Sequence, residues 1–322
     1  MVDVSRRAEA VGFESVWVAE TRLTRDGFVP AAAIAQATER IRVGTGIVNV
    51  YTRNPVLLAL SFIGLEEIAP GRILMGLGAG SPGVLAPQGI AFVKPLTRLK
   101  AYCEVIPPLI RGEQVSYSGE GVELVGAKIE DLLSARRPDA ARARLPLHLG
   151  VTGPRAVEYA GEVADGVLMN ACLPTEYVTS RLELLERGAR KAGRSLADID
   201  VAMAIVTSPH EDSRTGKDGA RRFIALYLSA FPNIARETGV PENRVVEVRT
   251  TLARRGLEAA ATLVDDEVVD RLAAAGTPDE CRARLEVYRD AGVAVTVLAP
   301  VEGALERILD TLAPAETVRL TG

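Results

Sequence analysis

The chain alternates short apolar runs rich in β-branched residues with longer stretches of helical periodicity, and this rhythm constrains the fold more than any other feature. Parallel strands joined by crossover helices are what such alternation writes. Strands are expected at Ser15–Ala19, Ile41–Thr45, Ile73–Leu77, Leu147–Gly150, Gly166–Asn170, Asp200–Val206 and Ala294–Ala299. Each is apolar on both alternating faces, as a strand covered by helices on both sides must be. Helices are expected at Pro30–Glu39, Pro55–Ile68, Leu96–Arg111, Pro154–Ala164, Thr175–Ala192, Pro278–Ala291 and Glu302–Leu312. Pro30, Pro55 and Pro278 suit first turns, where a missing N–H costs nothing, and Gly71, Gly193 and Gly292 suit C-terminal caps.

The expected architecture is therefore α/β, a (β/α)8 barrel of the TIM type, with residues 1–322 as a single domain. Only seven strands can be read where closure needs eight. The chain opens on a helix, Asp3–Val11, so the first strand is expected to be lacking. Two segments leave the rhythm: 113–146 reads as a β-hairpin excursion around Gly119-Glu-Gly121, and 208–265 as an Arg-rich helical insertion before the last unit.

Charge and cysteine usage exclude several classes of function. A net charge of −4, with 38 basic residues scattered, supplies no field for a phosphate backbone, so no nucleic-acid partner is expected. No apolar run approaches the ~18 residues of a membrane span, and the N-terminus lacks the apolar core of a signal peptide. Cys103, Cys172 and Cys281 lie far apart and suit reduced thiols, which points to the cytoplasm. His148 and His210 form no ligand pattern, and no metal is expected; His148 reads as a packed strand residue.

Four places carry candidate chemistry. Val43-Gly-Thr-Gly-Ile-Val-Asn-Val-Tyr-Thr-Arg-Asn-Pro55 takes a strand through glycines into a helix, where a barrel builds its site and where a flat ring can approach the backbone; a merely tight turn explains Gly-x-Gly equally well. Arg72-Ile-Leu-Met-Gly-Leu-Gly-Ala-Gly-Ser81 departs from dinucleotide-loop spacing and suits small residues lining a planar group. Leu147-His-Leu-Gly-Val-Thr-Gly-Pro-Arg-Ala156 ends a strand and starts a helix, whose N-terminus would favour a phosphate or carboxylate; plain capping is the alternative. Glu20 ends the strand Val16-Trp-Val-Ala, either as a catalytic acid or as an ion-pair partner of Arg22 or Arg25.

Together and in this order, these segments resemble the luciferase-like flavin and deazaflavin oxidoreductases, nearest the 5,10-methylenetetrahydromethanopterin reductase branch. Gly12-Phe-Glu-Ser-Val-Trp-Val, Gly44–Pro55, Gly71–Gly80, Leu147–Pro154, Ala160–Ala171 and Gly276-Thr-Pro-Asp-Glu carry the resemblance. It implies a barrel holding coenzyme F420, or alternatively FMN. Thr45, Gly46, Ile47 and Val48 would face the ring, with Gly46–Ile47 at the family's non-prolyl cis peptide and Gly80 and Ser81 nearby. Gly150, Val151, Thr152, Gly153 and Pro154 would take the phosphate side, with Asn170 beside them. This chain has Ser81 where the reductases have an acid, and Glu20-Thr21 where they have Asp followed by His.

The implied activity is hydride transfer between F420 and a small organic substrate at the mouth of the barrel, with Glu20 as proton donor or polar anchor. An FMN-dependent monooxygenase using reduced flavin and oxygen is one alternative, and a non-catalytic flavin-binding relative is another. A Schiff-base or metal-dependent lyase is disfavoured, since none of Lys94, Lys100, Lys128, Lys191 and Lys217 ends an expected strand. The expected partners are a small-molecule substrate and a second copy of the chain in a homodimer.

Overall fold

The computed structural model describes residues 1–20, 23–130 and 144–314. Its strands are β1 (Ser15–Val18), β2 (Arg42–Thr45), β3 (Val48–Asn49), β4 (Ile73–Gly78), β5 (Val115–Gly119), β6 (Val122–Ala127), β7 (Leu147–Gly150), β8 (Gly166–Met169), β9 (Asp200–Pro209), β10 (Ala273–Gly276) and β11 (Val295–Pro300). Two compact units emerge: Met1–Gly150 with Val163–Asp165, and Val151–Glu162 with Gly166–Gly322.

In the first unit β1, β2, β4 and β7 pair in that order, all parallel. Leu77 and Gly78 of β4 pair with Val48 and Asn49 of β3 on one edge and with Leu149 and Gly150 of β7 on the other. All six residues of β4 are buried, which is why its sequence reads as an unbroken apolar run. Arg72 locks the entry to β4: its guanidinium donates to the carbonyls of Ala35, Thr38 and Ile41 and to the Thr38 hydroxyl. Glu9 does the same for β2, its carboxylate accepting the N–H groups of Glu39, Arg40 and Ile41.

The helix Pro55–Ile68 begins where the sequence demands, with Asn54 accepting from the Leu57 N–H at 2.8 Å and Pro55 in the first turn. The helix expected from Pro30 starts earlier, at Phe28, and runs to Ala37. Asp26 explains the shift: its Oδ1 accepts from both Phe28 and Val29 N–H, which fixes the first turn ahead of the proline. The hairpin expectation meets β5 and β6, antiparallel across Glu120-Gly121. The remainder of that excursion, 131–143, lies outside the described residues.

In the second unit β9 is the organising strand. Ala202 and Met203 pair with β8 on one edge and β11 on the other, while Val206 and Thr207 pair with β10 and β11. One edge of β9 therefore serves β8 with its first half and β10 with its second. Strand β10 is a correction to the seven-strand reading. Ala273-Ala-Ala-Gly276 has no β-branched residue and high helix propensity, so pattern alone hides it; its β-conformation comes from pairing with the end of β9. Helices Ser213–Ala230, Pro232–Ala235, Glu242–Arg255, Leu257–Ala261 and Asp266–Leu272 fill the stretch between β9 and β10. None of the described helices is long and apolar enough to cross a membrane.

Candidate active site

The strand ends of the first unit converge on Ile47. The Gly46–Ile47 peptide is cis. A Cβ placed on Gly78 would come 2.8 Å from Ile47 Cδ1 and Cγ1, and one on Gly150 would come 2.8 Å from Ile47 Cγ2. Two glycines on neighbouring strands thus make the space that the Ile47 side chain fills. Beneath it, Thr45 Oγ1 donates to the Gly76 carbonyl and accepts the Gly76 N–H, at 2.8 and 3.0 Å. Gly76 has no room for any side chain, since a Cβ would overlap the Thr45 carbonyl oxygen at 1.6 Å.

These contacts separate the four residues expected to face a ring. The side chains of Thr45 and Val48 are buried, at 1% and 0% exposure. Thr45 is committed to Gly76, and a Cβ on Gly27 would lie 2.7 Å from Val48 Cγ1. Gly46 and Ile47 remain half-buried and are the members of the group that a ligand can reach. Gly80, exposed and at φ +71°, holds a backbone conformation that side chains resist; a Cβ there would come 3.2 Å from Asn49 Cβ. Ser81 heads the short helix Pro82–Leu85.

Glu20 sits beside this shelf, and among the described residues its cationic partner is Arg53. Arg53 approaches it with both terminal nitrogens, Nη1 at 3.0 Å from Oε1 and Nη2 at 2.8 Å from Oε2. Asn49 Nδ2 adds a bond of 3.0 Å to Oε1, and the Gly27 N–H one of 3.1 Å to Oε2. Arg25 turns instead to the Met1 sulfur, and Arg22 lies outside the described residues. Arg53 Nη2 also meets the Asp26 carboxylate, so one guanidinium joins two acids.

The electrostatics follow from that geometry. Burial acts to raise the Asp26 pKa, but the Val29 and Phe28 N–H groups and the Arg53 charge outweigh it and hold the carboxyl below its usual range. Burial likewise works against the Arg53 charge, and the hydrogen bonds and charges of Glu20 and Asp26 overcome it, raising the guanidinium further. Asn49 also accepts the N–H groups of Tyr51 and Thr52 on its Oδ1, fixing the loop that delivers Arg53. A cleft of about 340 Å³ opens over the group, lined among others by Glu20, Asp26, Asn49, Arg53, Val84 and Gln88.

Asn49 and Arg53 fall inside the quoted Val43–Pro55 segment, and Asp26 lies just beyond Glu20 in sequence. The missing signal was pairing, because Glu20 and Arg53 are 33 residues apart. His148, read as a packing residue, is buried in β7 with its ring edge-on to Trp17 at 5.3 Å. Gly44 makes room for that indole, since a Cβ there would come 2.6 Å from its six-membered ring.

In the second unit, Val151 is buried, Thr152 is half-buried, and Gly153, Pro154 and Arg155 are exposed. Gly153 starts the helix Pro154–Val163, its carbonyl accepting from Ala156 and Val157. The Thr152 carbonyl is held by the Tyr177 hydroxyl at 2.9 Å and Arg181 Nε at 3.3 Å. Arg181 stacks over the Tyr177 ring and pairs with Glu237 at 2.8 Å. Asn170 follows the end of β8, and its Oδ1 accepts from the Ala171 N–H and the Tyr227 hydroxyl.

A family model described as luciferase-like monooxygenase matches residues 1–294. The chain belongs to the luciferase-like family. It is 32% identical to the 5,10-methylenetetrahydromethanopterin reductase of Methanolobus tindarius, over 90% of this chain and 86% of that protein. It is 27% identical to an F420-dependent glucose-6-phosphate dehydrogenase of Amycolatopsis mediterranei, over 91% of this chain and 86% of that protein. Among solved structures, the coenzyme F420 dependent tetrahydromethanopterin reductase of Methanopyrus kandleri superposes with a TM-score of 0.83 at 26% identity, covering 96% of this chain and 93% of that one. The fold is the luciferase-like barrel, and the chain is an oxidoreductase of this family.

Proposed function

We propose that this luciferase-like oxidoreductase transfers a hydride between coenzyme F420 and a small organic substrate at the C-terminal ends of its strands. The observation that carries the reading is the Ile47 shelf. Gly78 and Gly150 exclude side chains around it, and Gly46 and Ile47 stay accessible, so a flat ring system can lie against it. The naming of several relatives as F420-dependent supports the deazaflavin over FMN.

In this reading Gly46 and Ile47 hold the ring face, with the backbone of Thr45 and Val48 behind them and Gly80 and Ser81 at its border. Gly150, the last residue of β7, contributes the space for Ile47. In the second unit, the Val151, Thr152, Gly153 and Pro154 turn is suited to a phosphate by its helix N-terminus, with Asn170 as a further polar contact. When bound, the deazaflavin supplies the two-electron chemistry. The chain supplies orientation: Glu20 acts as a polar anchor, accepting from Gly27, Asn49 and Arg53 and holding their loops in one arrangement. The donor role considered for Glu20 has less support, because all of these contacts use it as an acceptor.

Anaerobic titration of the purified protein with F420 and with reduced FMN tests the proposal. Saturable F420 binding, with loss of the deazaflavin absorbance when a hydride donor is supplied, is the expected result. Oxygen-dependent turnover with reduced FMN and no F420 binding would overturn it.

A further inference from the structure

Residues 50–53 carry Arg53 to Glu20, and each of the four is tied through its backbone. The Val50 N–H donates to the Gly78 carbonyl at 3.1 Å, and the Tyr51 and Thr52 N–H groups donate to Asn49 Oδ1 at 3.0 Å. The remaining ties come from one helix, Pro95–Ile110, which offers Arg98 and Tyr102 one turn apart. Arg98 Nε donates to the Val50 carbonyl at 2.6 Å, and the Tyr102 hydroxyl donates to the Arg53 carbonyl at 2.8 Å. Arg98 also governs that second bond. Its Nη2 lies 3.3 Å from Tyr102 Oη, and a guanidinium carries donors only, so the hydroxyl hydrogen turns away from it, toward Arg53. Tyr102 is fully buried, which shields the bond from water.

The Arg98 guanidinium is itself held in place. It lies over the Tyr51 ring at 4.8 Å and the Tyr102 ring at 5.6 Å, two aromatic faces that favour a cation. The turn of the β5–β6 hairpin presses on it as well: Gly121 stands at φ +70°, and a Cβ there would collide with Arg98 Nη1. Beside that glycine the Glu120 carboxylate pairs with Lys94 Nζ at 2.8 Å, just ahead of the same helix. The hairpin excursion, to which the proposed chemistry gives no part, thus ends on the residue that holds the Arg53 loop.

We infer that Arg98 is a positioning residue of the Glu20–Arg53 group. Directly and through Tyr102 it sets the loop from which the Arg53 side chain reaches Glu20 and Asp26, and the β5–β6 hairpin covers it. Its hydrogen bonds run to the Val50 carbonyl and to Tyr102, so it acts at the two ends of the loop while Asn49 holds the middle. Without Arg98 the Val50 carbonyl loses its donor and the Tyr102 hydroxyl its direction, and the Arg53 side chain no longer starts from a fixed backbone. The Ile47 shelf is held separately, since Val48 and Asn49 pair with β4 and Ile47 fills the space left by Gly78 and Gly150. The bearing of Arg98 on turnover rests on the proposed reading of this site.

The test is a double-variant cycle on the full chain, read as shifts of the urea midpoint. The shift caused by Arg53→Ala is expected to fall, in the Arg98→Ala background, to about half of its size in the parent. The second readout is a pH profile. The Arg53 charge helps to hold the Asp26 carboxyl low, so the midpoint gap between Asp26 and Asp26→Asn at pH 6 should narrow when Arg98 is replaced by Ala. A part in packing alone leaves that gap as it is. Additive Arg53 losses overturn the inference, and so does an unchanged Asp26 gap. If Arg98→Ala does not fold, both measurements are made on Tyr102→Phe, which removes one hydroxyl, and the same two outcomes decide. F420 affinity should stay within about twofold of the parent in Tyr102→Phe, and a loss of about tenfold would assign the clamp to the cofactor shelf and overturn the inference. Failure of the parent to bind F420 sinks the proposed chemistry, while the urea cycle, which uses no cofactor, still decides the part of Arg98.

Discussion

Glu20 and Arg53 meet in a two-point ion pair, Nη1 to Oε1 at 3.0 Å and Nη2 to Oε2 at 2.8 Å, with side chains only 12% and 17% exposed. At that burial neither charge can shed its partner cheaply. Arg53→Ala removes the guanidinium that Glu20 and Asp26 share and is expected to cost about 3 kcal/mol in urea unfolding. Arg53→Lys keeps the charge but loses the fork, so about half of that cost should remain. Glu20→Gln should reduce turnover through a raised KM, as an anchor would. An unchanged KM with a collapsed kcat would instead favour a proton donor.

Asp26 makes a prediction about pH. Its carboxyl is held below the ordinary value in the folded chain, so folding is favoured above the unfolded pKa of ~3.9 and that contribution is lost as pH falls through the lower folded value. Asp26→Asn should therefore be less stable than the parent near neutral pH, and the difference should shrink below about pH 4. Urea midpoints from pH 6 downward would show the two curves converging; a constant offset would mean that the Asp26 carboxyl is not held below its ordinary range in the folded chain.

The fold and part of the candidate site were legible in the sequence for different reasons. Strands such as β4 announce themselves because burial on both faces demands an unbroken apolar run. The glycine loops around Gly76, Gly78 and Gly150 stand out because a side chain there would press on Thr45 or Ile47. Strand β10 stayed hidden because Ala273-Ala-Ala is held extended by its neighbour β9 and not by its own preference. The Glu20 cluster stayed hidden because a partner 33 residues away leaves no local pattern, and arginines two and five positions along looked just as suitable.

The three cysteines are buried, and burial raises the thiol pKa of Cys172 and pushes that of Cys281 up to about 12. A thiol reagent acts on the thiolate, which is scarce in such surroundings. At pH 8 the folded protein should react slowly with an aromatic disulfide reagent, and all three thiols should react at once in denaturant. Rapid labelling of the folded chain would show that these positions open locally.

Gly78 and Ile47 give the sharpest check on the shelf. Gly78→Ala places a methyl 2.8 Å from Ile47 Cδ1 and Cγ1 and 3.0 Å from the Gly150 carbonyl oxygen, so Ile47 must move. The end of a side chain yields more readily than backbone, and a cost of about 1–2 kcal/mol in stability is expected. Gly76→Ala meets the Thr45 carbonyl at 1.6 Å and should cost well over that, to the point of failing to fold. If the shelf carries the ring, Gly78→Ala should also weaken F420 binding by about tenfold, since the displaced Ile47 rises into the ring's place. Ile47→Ala alone should lower affinity by removing the support, but in the Gly78→Ala background it should restore binding by relieving the clash. Such a change of sign between the two backgrounds is the coupling expected of residues in contact. Additive losses in the double variant would mean that the ring does not rest on Ile47.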